Sequence, residues 1–249
     1  MKIFVFDRIK LSIALLRRSQ FHYYRMSMTH PPFWLAAKGK VCRVFSDSTA
    51  GARACYAEVL VTDCYRLFPY AKHNAPRVIA DIGANVGMFS RLCTLLFPEA
   101  DVFAYEPHPA AIPWLHENAK DTRIRVIPCA VQKNQGMQRM SAGQDSTVGQ
   151  VGPTGGFSVQ CISAAEVAQG MPIDLLKMDC EGSEWSILED ASLLGRTQDF
   201  CMEYHLDESR SLAHLEDLIR SAGHRVLKVS PKAGYHDRFG TLWSTQQLP

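Results

Sequence analysis

The stretch Asp81-Ile82-Gly83-Ala84-Asn85-Val86-Gly87 follows an apolar run and opens a helical pattern, the arrangement of a ligand-holding turn. Gly83 and Gly87 remove side chains where the backbone must bend sharply and approach a ligand closely. Glu106 stands nineteen residues after Gly87, directly behind a second apolar run. A carboxylate there is placed to accept hydrogen bonds from both hydroxyls of a ribose. Turn and acid together specify an adenosine-containing ligand. A dinucleotide site would carry GxGxxG and aim amide donors at a pyrophosphate. Here the spacing is GxxxG, and Asp81 ahead of it repels phosphate. The pattern suits S-adenosylmethionine, whose sulfonium, amino acid tail and ribose carry no phosphate. Ala84 and Asn85 in the turn, Pro107 after the acid and Ala130 behind the third apolar run complete the expected cofactor-contacting set.

A second group of ionisable residues lies further along. Lys177 and Asp179 are two apart on a strand and share one face, and Asp179 falls where the strand ends, beside the expected methionine end of the cofactor. A buried ammonium needs a partner, and Asp81 and Glu203 are the candidates. Glu181 follows in a turn, and Glu184 starts a helix, whose positive end favours carboxylates. Glu203 and His205 share one face beside Asp179. Methyl transfer to an alcohol is an in-line displacement in which the hydroxyl proton must be taken up. His205, with a near-neutral pKa, is the expected general base, oriented by Glu203. His236, in the run YHDRFG, is the reserve. The same trio, Asp179, Glu203 and His205, offers an alternative in which a divalent metal binds the acceptor oxygen; the preferred reading has no metal.

These residues need strand ends to hold them, and the hydrophobic pattern supplies such ends. From residue 76 onward, short β-branched runs alternate with amphipathic stretches, as in a mostly parallel sheet covered by helices. Strands are expected at 77–82, 101–105, 123–131, 173–178, 199–204, 225–229 and 241–244, the last pair making one strand antiparallel. Helices are expected from Val86 to Leu96, at 110–119, at 184–194 and from Leu212 to Arg220, the last closed by Gly223. Residues 132–156 hold five glutamines and six glycines and few apolar anchors. They read as a loop or small β excursion at a ligand-binding strand end. Residues 1–75 read as a helical and irregular extension, and 76–249 as the catalytic domain.

The 249 residues are 47% hydrophobic and 21% charged, the composition of a globular chain rather than a disordered or rod-like one. No run approaches the length of a membrane span. The start, MKIFVFDRIKLSIALLRRSQ, is interrupted by Asp7, Arg8 and Lys10 and lacks a cleavage site, so it reads as a retained amphipathic segment. The eight cysteines form no CxxC and no ligand spacing; a reducing, cytoplasmic setting is expected. The net charge of +2 hides an asymmetry: residues 1–72 hold 12 Lys and Arg against 4 Asp and Glu, and the remainder 15 against 21. The basic segment suggests contact with an anionic membrane surface or merely a solvated cap. A nucleic-acid methyltransferase is the competing enzyme reading. The acidic body, and the absence of the Asn/Asp-Pro-Pro-aromatic turn that grips an exocyclic amine, oppose it. A non-catalytic cofactor-binding protein is the third.

VIADIGANVGMFS, FAYEPHP and IDLLKMDCEGSEWSILED, taken together, resemble the FkbM family of S-adenosylmethionine-dependent methyltransferases. The first two blocks are shared by many methyltransferases; Lys177 to Glu184 is much more specific to this family. The resemblance spans about residues 60–205. It implies an α/β, Rossmann-like class I methyltransferase fold with a seven-stranded sheet, and O-methylation of a hydroxyl on a small molecule or glycan sugar.

Overall fold

The computed structural model describes residues 32–37, 40–47, 49–133, 135–141, 151, 156–170, 172–232 and 238–247. Residues 1–31, the first part of the basic amino-terminal segment, and His236 lie outside the described residues. The chain runs β1 (Phe33–Ala37), β2 (Lys40–Val44), α1 (Ala50–Tyr56), a π-helical stretch (Ala57–Thr62), α2 (Leu67–Tyr70), β3 (Val78–Ile82), α3 (Met88–Leu96), β4 (Asp101–Tyr105), α4 (Ile112–Ala119), β5 (Ile124–Ile127), β6 (Ala130–Gln132), β7 (Gly136–Met140), β8 (Phe157–Ser163), α5 (Ala164–Gln169), β9 (Ile173–Met178), α6 (Glu184–Leu188), β10 (Thr197–His205), α7 (Leu212–Ser221), β11 (His224–Pro231) and β12 (Phe239–Gln246).

Seven strands form one sheet in the order β11-β12-β10-β9-β3-β4-β5. Pairings from β10 to β5 are parallel, and β12 runs antiparallel to both neighbours. The expected count and the single antiparallel strand are therefore present. Side chains alternate across the sheet with period two. Ile79, Val102, Ala104, Leu175, Cys201 and Trp243 enter one core, shared with α3 and its Phe89 and Leu92. Ala80, Ile82, Leu176, Met178, Phe200, Met202 and Leu242 enter the other, with Leu188, Leu215 and Ile219 from the helices. The strand order reverses at β3, whose neighbours are β9 and β4, so the ends of these strands open the crevice where such sheets bind ligands.

Several elements differ from the sequence reading. The third strand stops at Ile127. Pro128 has no amide donor, the Cys129 amide turns back to donate to the Ile127 carbonyl at 2.8 Å, and β6 joins a separate three-stranded sheet, β6-β8-β7. The glutamine- and glycine-rich stretch supplies β7 to that small sheet; 142–150 and 152–155 lie outside the described residues. The helix expected over 184–194 ends at Leu188. Asp190 accepts from the Ser192 amide at 3.0 Å, a local bond that competes with helix continuation. Residues 33–67 hold a β1–β2 hairpin as well as short helices, and Leu35, Val44, Tyr56, Leu60 and Leu67 pack in the same core as α3.

Candidate active site

The turn after β3 is shaped by backbone demands on three residues. Gly83 has φ +76°, and a Cβ there would lie 1.7 Å from the Asp179 carbonyl oxygen, so what requires glycine is the crossing of β9's end. Gly87, at φ +87°, precedes α3; a Cβ on it would meet Leu115 Cδ1 at 2.6 Å. This close approach seats α3 against α4, and Gly87 is not among the residues that line the cavity. Between them Asn85 adopts φ 50°, and its amide donates to Glu106 Oε2 at 2.7 Å. The His108 amide donates to Glu106 Oε1 at 2.7 Å. Burial pushes the Glu106 carboxyl up to about 7, against the pull of these two amides. One carboxylate thus ties the β3 turn to the β4 turn and keeps a free lone pair on each oxygen.

Beneath the turn lies a buried charge network. The β3–β9 register sets Asp81 beside Lys177, and their charged atoms lie 3.1 Å apart. Of the two candidate partners for the lysine, the fold selects Asp81. Ser90 Oγ donates to Asp81 Oδ2 at 2.6 Å, and Lys177 Nζ donates to the Gly83 carbonyl at 2.7 Å. Burial disfavours the ammonium, but Asp81 and Asp179 outweigh it and hold the lysine above its ordinary range. Asp81 is 0% exposed and is absent from the cavity wall. It pairs with Lys177 and accepts from Ser90 directly beneath the turn. Asp179 is the acid that reaches the cavity, with Oδ2 accepting from the Tyr65 hydroxyl at 2.6 Å.

Further carboxylates gather where β9 and β10 end. Glu203 is 8% exposed and lines the cavity, and its carboxylate makes no hydrogen bond or ion pair with a described residue. Burial, then Asp179 and Glu58, push it up to about 8. Burial and Asp179 likewise push Glu181 up to about 7. Glu184 is buried and faces inward as a cap, accepting from the amides of Cys180 at 3.1 Å and Gly182 at 2.7 Å. His205 stands beside the cavity rather than in its wall. Its Nδ1 lies 3.7 Å from Glu184 and its Nε2 3.8 Å from Glu181, and its ring meets Phe239 edge-on at 4.6 Å. Burial lowers its pKa, but Glu184, Glu181 and Glu203 raise it further and the net shift is upward. Among the described residues no three of His, Cys, Asp and Glu are grouped closely enough to hold a metal ion.

These groups surround a cavity of about 240 Å³. Of the expected contacts, Gly83, Ala84, Asn85, Glu106, Pro107, Ala130, Asp179 and Glu203 line it, while Asp81, Gly87 and His205 do not.

Comparison with known proteins fits this arrangement. Residues 81–226 match the Methyltransferase FkbM domain. The chain belongs to the FkbM methyltransferase family. It is 35% identical over 99 residues to the 31-O-demethyl-FK506 methyltransferase FkbM of Streptomyces tacrolimicus, a match covering 39% of this chain and 38% of that protein's length. Magnesium protoporphyrin IX methyltransferase of Synechocystis PCC 6803, solved with bound S-adenosylmethionine, superposes with a TM-score of 0.52 at 8% identity, over 82% of this chain and 88% of that one. Precorrin-6y C5,15-methyltransferase of Geobacter metallireducens GS-15 gives 0.47 at 12% identity, over 76% and 88%. The seven-stranded sheet and its likeness to the Synechocystis enzyme make the fold that of the Rossmann-like class I methyltransferases.

The FkbM domain does not build its cavity alone. Cys55, Glu58 and Tyr65 from one side of it, and Lys232 and Phe239 from the other, complete the wall. Lys232 is ion-paired with Glu58 and lies 4.5 Å over the Phe239 ring. No motif marks these residues. Glu58 sits in the π-helical stretch and Tyr65 in the turn after it, whose course depends on tertiary contacts, so spacing could not find them. Among the described residues, no helix is long and apolar enough to cross a membrane.

Proposed function

We propose that this FkbM chain is an S-adenosylmethionine-dependent O-methyltransferase acting on a hydroxyl of a small molecule or sugar. The supporting observation is Glu106, held by two backbone amides at the mouth of the β3 turn with one lone pair on each oxygen still open to a ribose diol. The rest of the cavity suits the other end of such a ligand. Asp179, Glu181 and Glu203 line it, and the last two are pushed up by burial, which is the environment a sulfonium and an ammonium relieve. When bound, that cofactor supplies an electrophilic methyl group.

The chain's own residues then bind, orient and take a proton. Glu106 holds the ribose, and Asp179 faces the amino acid end. Phe89, Met88 and Tyr65 line the cavity's apolar side and exclude water from the displacement. Glu203 receives the acceptor's proton. It lines the cavity where His205 does not, and a carboxylate raised to about 8 is matched to that task near neutral pH. His205, behind Glu181 and Glu184, tunes the acids in front of it. Residues 73–249 carry 21 Asp and Glu against 15 Lys and Arg, an acidic balance that disfavours a polyanion and favours a neutral hydroxylated acceptor over nucleic acid. The relative from Streptomyces tacrolimicus has a name that likewise gives an O-demethyl acceptor.

Calorimetry with S-adenosylhomocysteine tests the cofactor half, and release of S-adenosylhomocysteine from S-adenosylmethionine across a panel of hydroxylated acceptors tests the transfer. Glu106→Ala should weaken nucleoside binding by about 1–3 kcal/mol, the range for hydrogen bonds to a charged group. Absence of binding by the unaltered protein would overturn the reading.

A further inference from the structure

We propose that Tyr65, which lies outside the stretch matching the FkbM domain, is a positioning residue that orients Asp179 toward the cofactor's amino group. The inference rests on the cofactor reading above. Every contact made to the Asp179 carboxylate by a described residue falls on one oxygen: Oδ2 accepts from the Tyr65 hydroxyl at 2.6 Å and lies 3.7 Å from Lys177 Nζ. Oδ1 is left without a partner among the described residues, in a side chain that lines the cavity and is 26% exposed. Lys177 already belongs to Asp81 at 3.1 Å. Without the tyrosine hydroxyl, a small rotation would bring Asp179 onto that ammonium and turn its free oxygen away from the ligand. Tyr65 holds the two apart.

The tyrosine is itself held firmly. Its ring meets Phe89 edge-on at 5.5 Å and lies 5.6 Å from Lys177 Nζ. Its carbonyl accepts from Trp243 Nε1 at 2.9 Å, and the preceding Cys64 carbonyl accepts from Thr241 Oγ1 at 3.2 Å. On either side of Cys64 and Tyr65, Asp63 and Arg66 occupy left-handed conformations, φ 51° and 50°. They follow a π-helical stretch, itself a rare form that recurs at functional sites. Left-handed non-glycine residues cost energy and persist where surrounding structure enforces them. Here Asp63 Oδ1 accepts from the Leu67 amide at 2.7 Å, closing the turn that delivers the tyrosine. The hydroxyl is held well above its usual pKa, by burial first and then by Asp179, so it serves as a donor.

Tyr65→Phe in the full chain keeps the ring and removes only the donor. Calorimetry with S-adenosylhomocysteine, which carries the amino acid tail, and with adenosine, which lacks it, reads the effect. Affinity for S-adenosylhomocysteine should fall about tenfold, as for a lost hydrogen bond to a charged group, while adenosine binds within twofold of the unaltered protein. In an Asp179→Asn background the same change should cost nothing further, since its route runs through the carboxylate. Equal losses for both probes, no loss for either, or an additive loss in that background would overturn the inference. If the unaltered protein binds neither probe, the cofactor reading falls and the inference with it. If it binds both and Tyr65→Phe changes nothing, the inference falls alone.

Discussion

Carboxylates withdrawn from water hold their protons to higher pH, and three in the cavity do so: Glu106 is pushed up to about 7, Glu181 to about 7 against the pull of His205 beside it, and Glu203 to about 8. In the unfolded chain each titrates near 4.5. Between these values the folded state binds more protons than the unfolded one, so stability falls as pH rises through that interval. The melting temperature of the ligand-free protein should therefore drop from pH 5 to pH 8, and Glu203→Gln should flatten the upper part of that fall. A melting temperature that rises over the range would contradict the burial of these acids. Turnover separates the two candidate bases. Glu203→Gln should lower the methyl-transfer rate by about a hundredfold or more, the lower bound for losing a general base, with His205→Gln costing clearly less. The reverse ranking would return the role to His205. At this scale the strand-end places of Glu106 and Asp179 were legible because strand ends and two-residue spacing constrain them, and so was the need of Lys177 for a partner, though not the choice of Asp81 over Glu203. The inward burial of Asp81 and the set-back of His205 were not, since a spacing says which face a side chain shares and not what else competes for it.

Two glycines with similar backbone angles make unlike demands on their surroundings, and the difference lies in the elements that cross them. Gly83 is pinned by the end of β9, where a Cβ would be 1.7 Å from a carbonyl oxygen, whereas Gly136 at φ +97° has nothing within 4 Å. Gly136→Ala should cost about 1–2 kcal/mol from its left-handed backbone alone. Gly83→Ala adds an overlap with backbone that cannot move without parting β3 from β9, so it should exceed that cost clearly and abolish S-adenosylhomocysteine binding even where folded protein is recovered. Chemical denaturation of both variants checks the order. The strands themselves were legible to within a few residues, because a sheet buried on both faces writes near-continuous apolar runs. The small β6-β8-β7 sheet was not: its strands are polar on one side, short and separated in sequence, and only tertiary pairing defines them.

The division at residue 75 follows the start of the strand–helix alternation, and the core runs across it. Leu35, Val44, Tyr56, Leu60, Tyr65 and Leu67 share a core with Phe89, Leu92 and Val102, and Glu58 and Tyr65 stand in the cavity wall. Alternating runs announce a sheet; they do not announce which irregular segment covers its outer helix, and that is why residues 1–75 read only as an extension. A chain starting at residue 76 would keep all seven strands of the main sheet and lose this cover. Six buried apolar side chains, each worth about 1.5–3 kcal/mol when withdrawn from water, exceed a large part of the 5–15 kcal/mol that holds a typical domain together. The shortened chain should therefore keep far-ultraviolet circular dichroism typical of α/β structure, lose near-ultraviolet signal and bind the dye ANS, the signature of a collapsed state without fixed packing. Cooperative melting with native near-ultraviolet signal would show instead that the sheet and its own helices suffice, and that residues 33–67 serve the cavity alone.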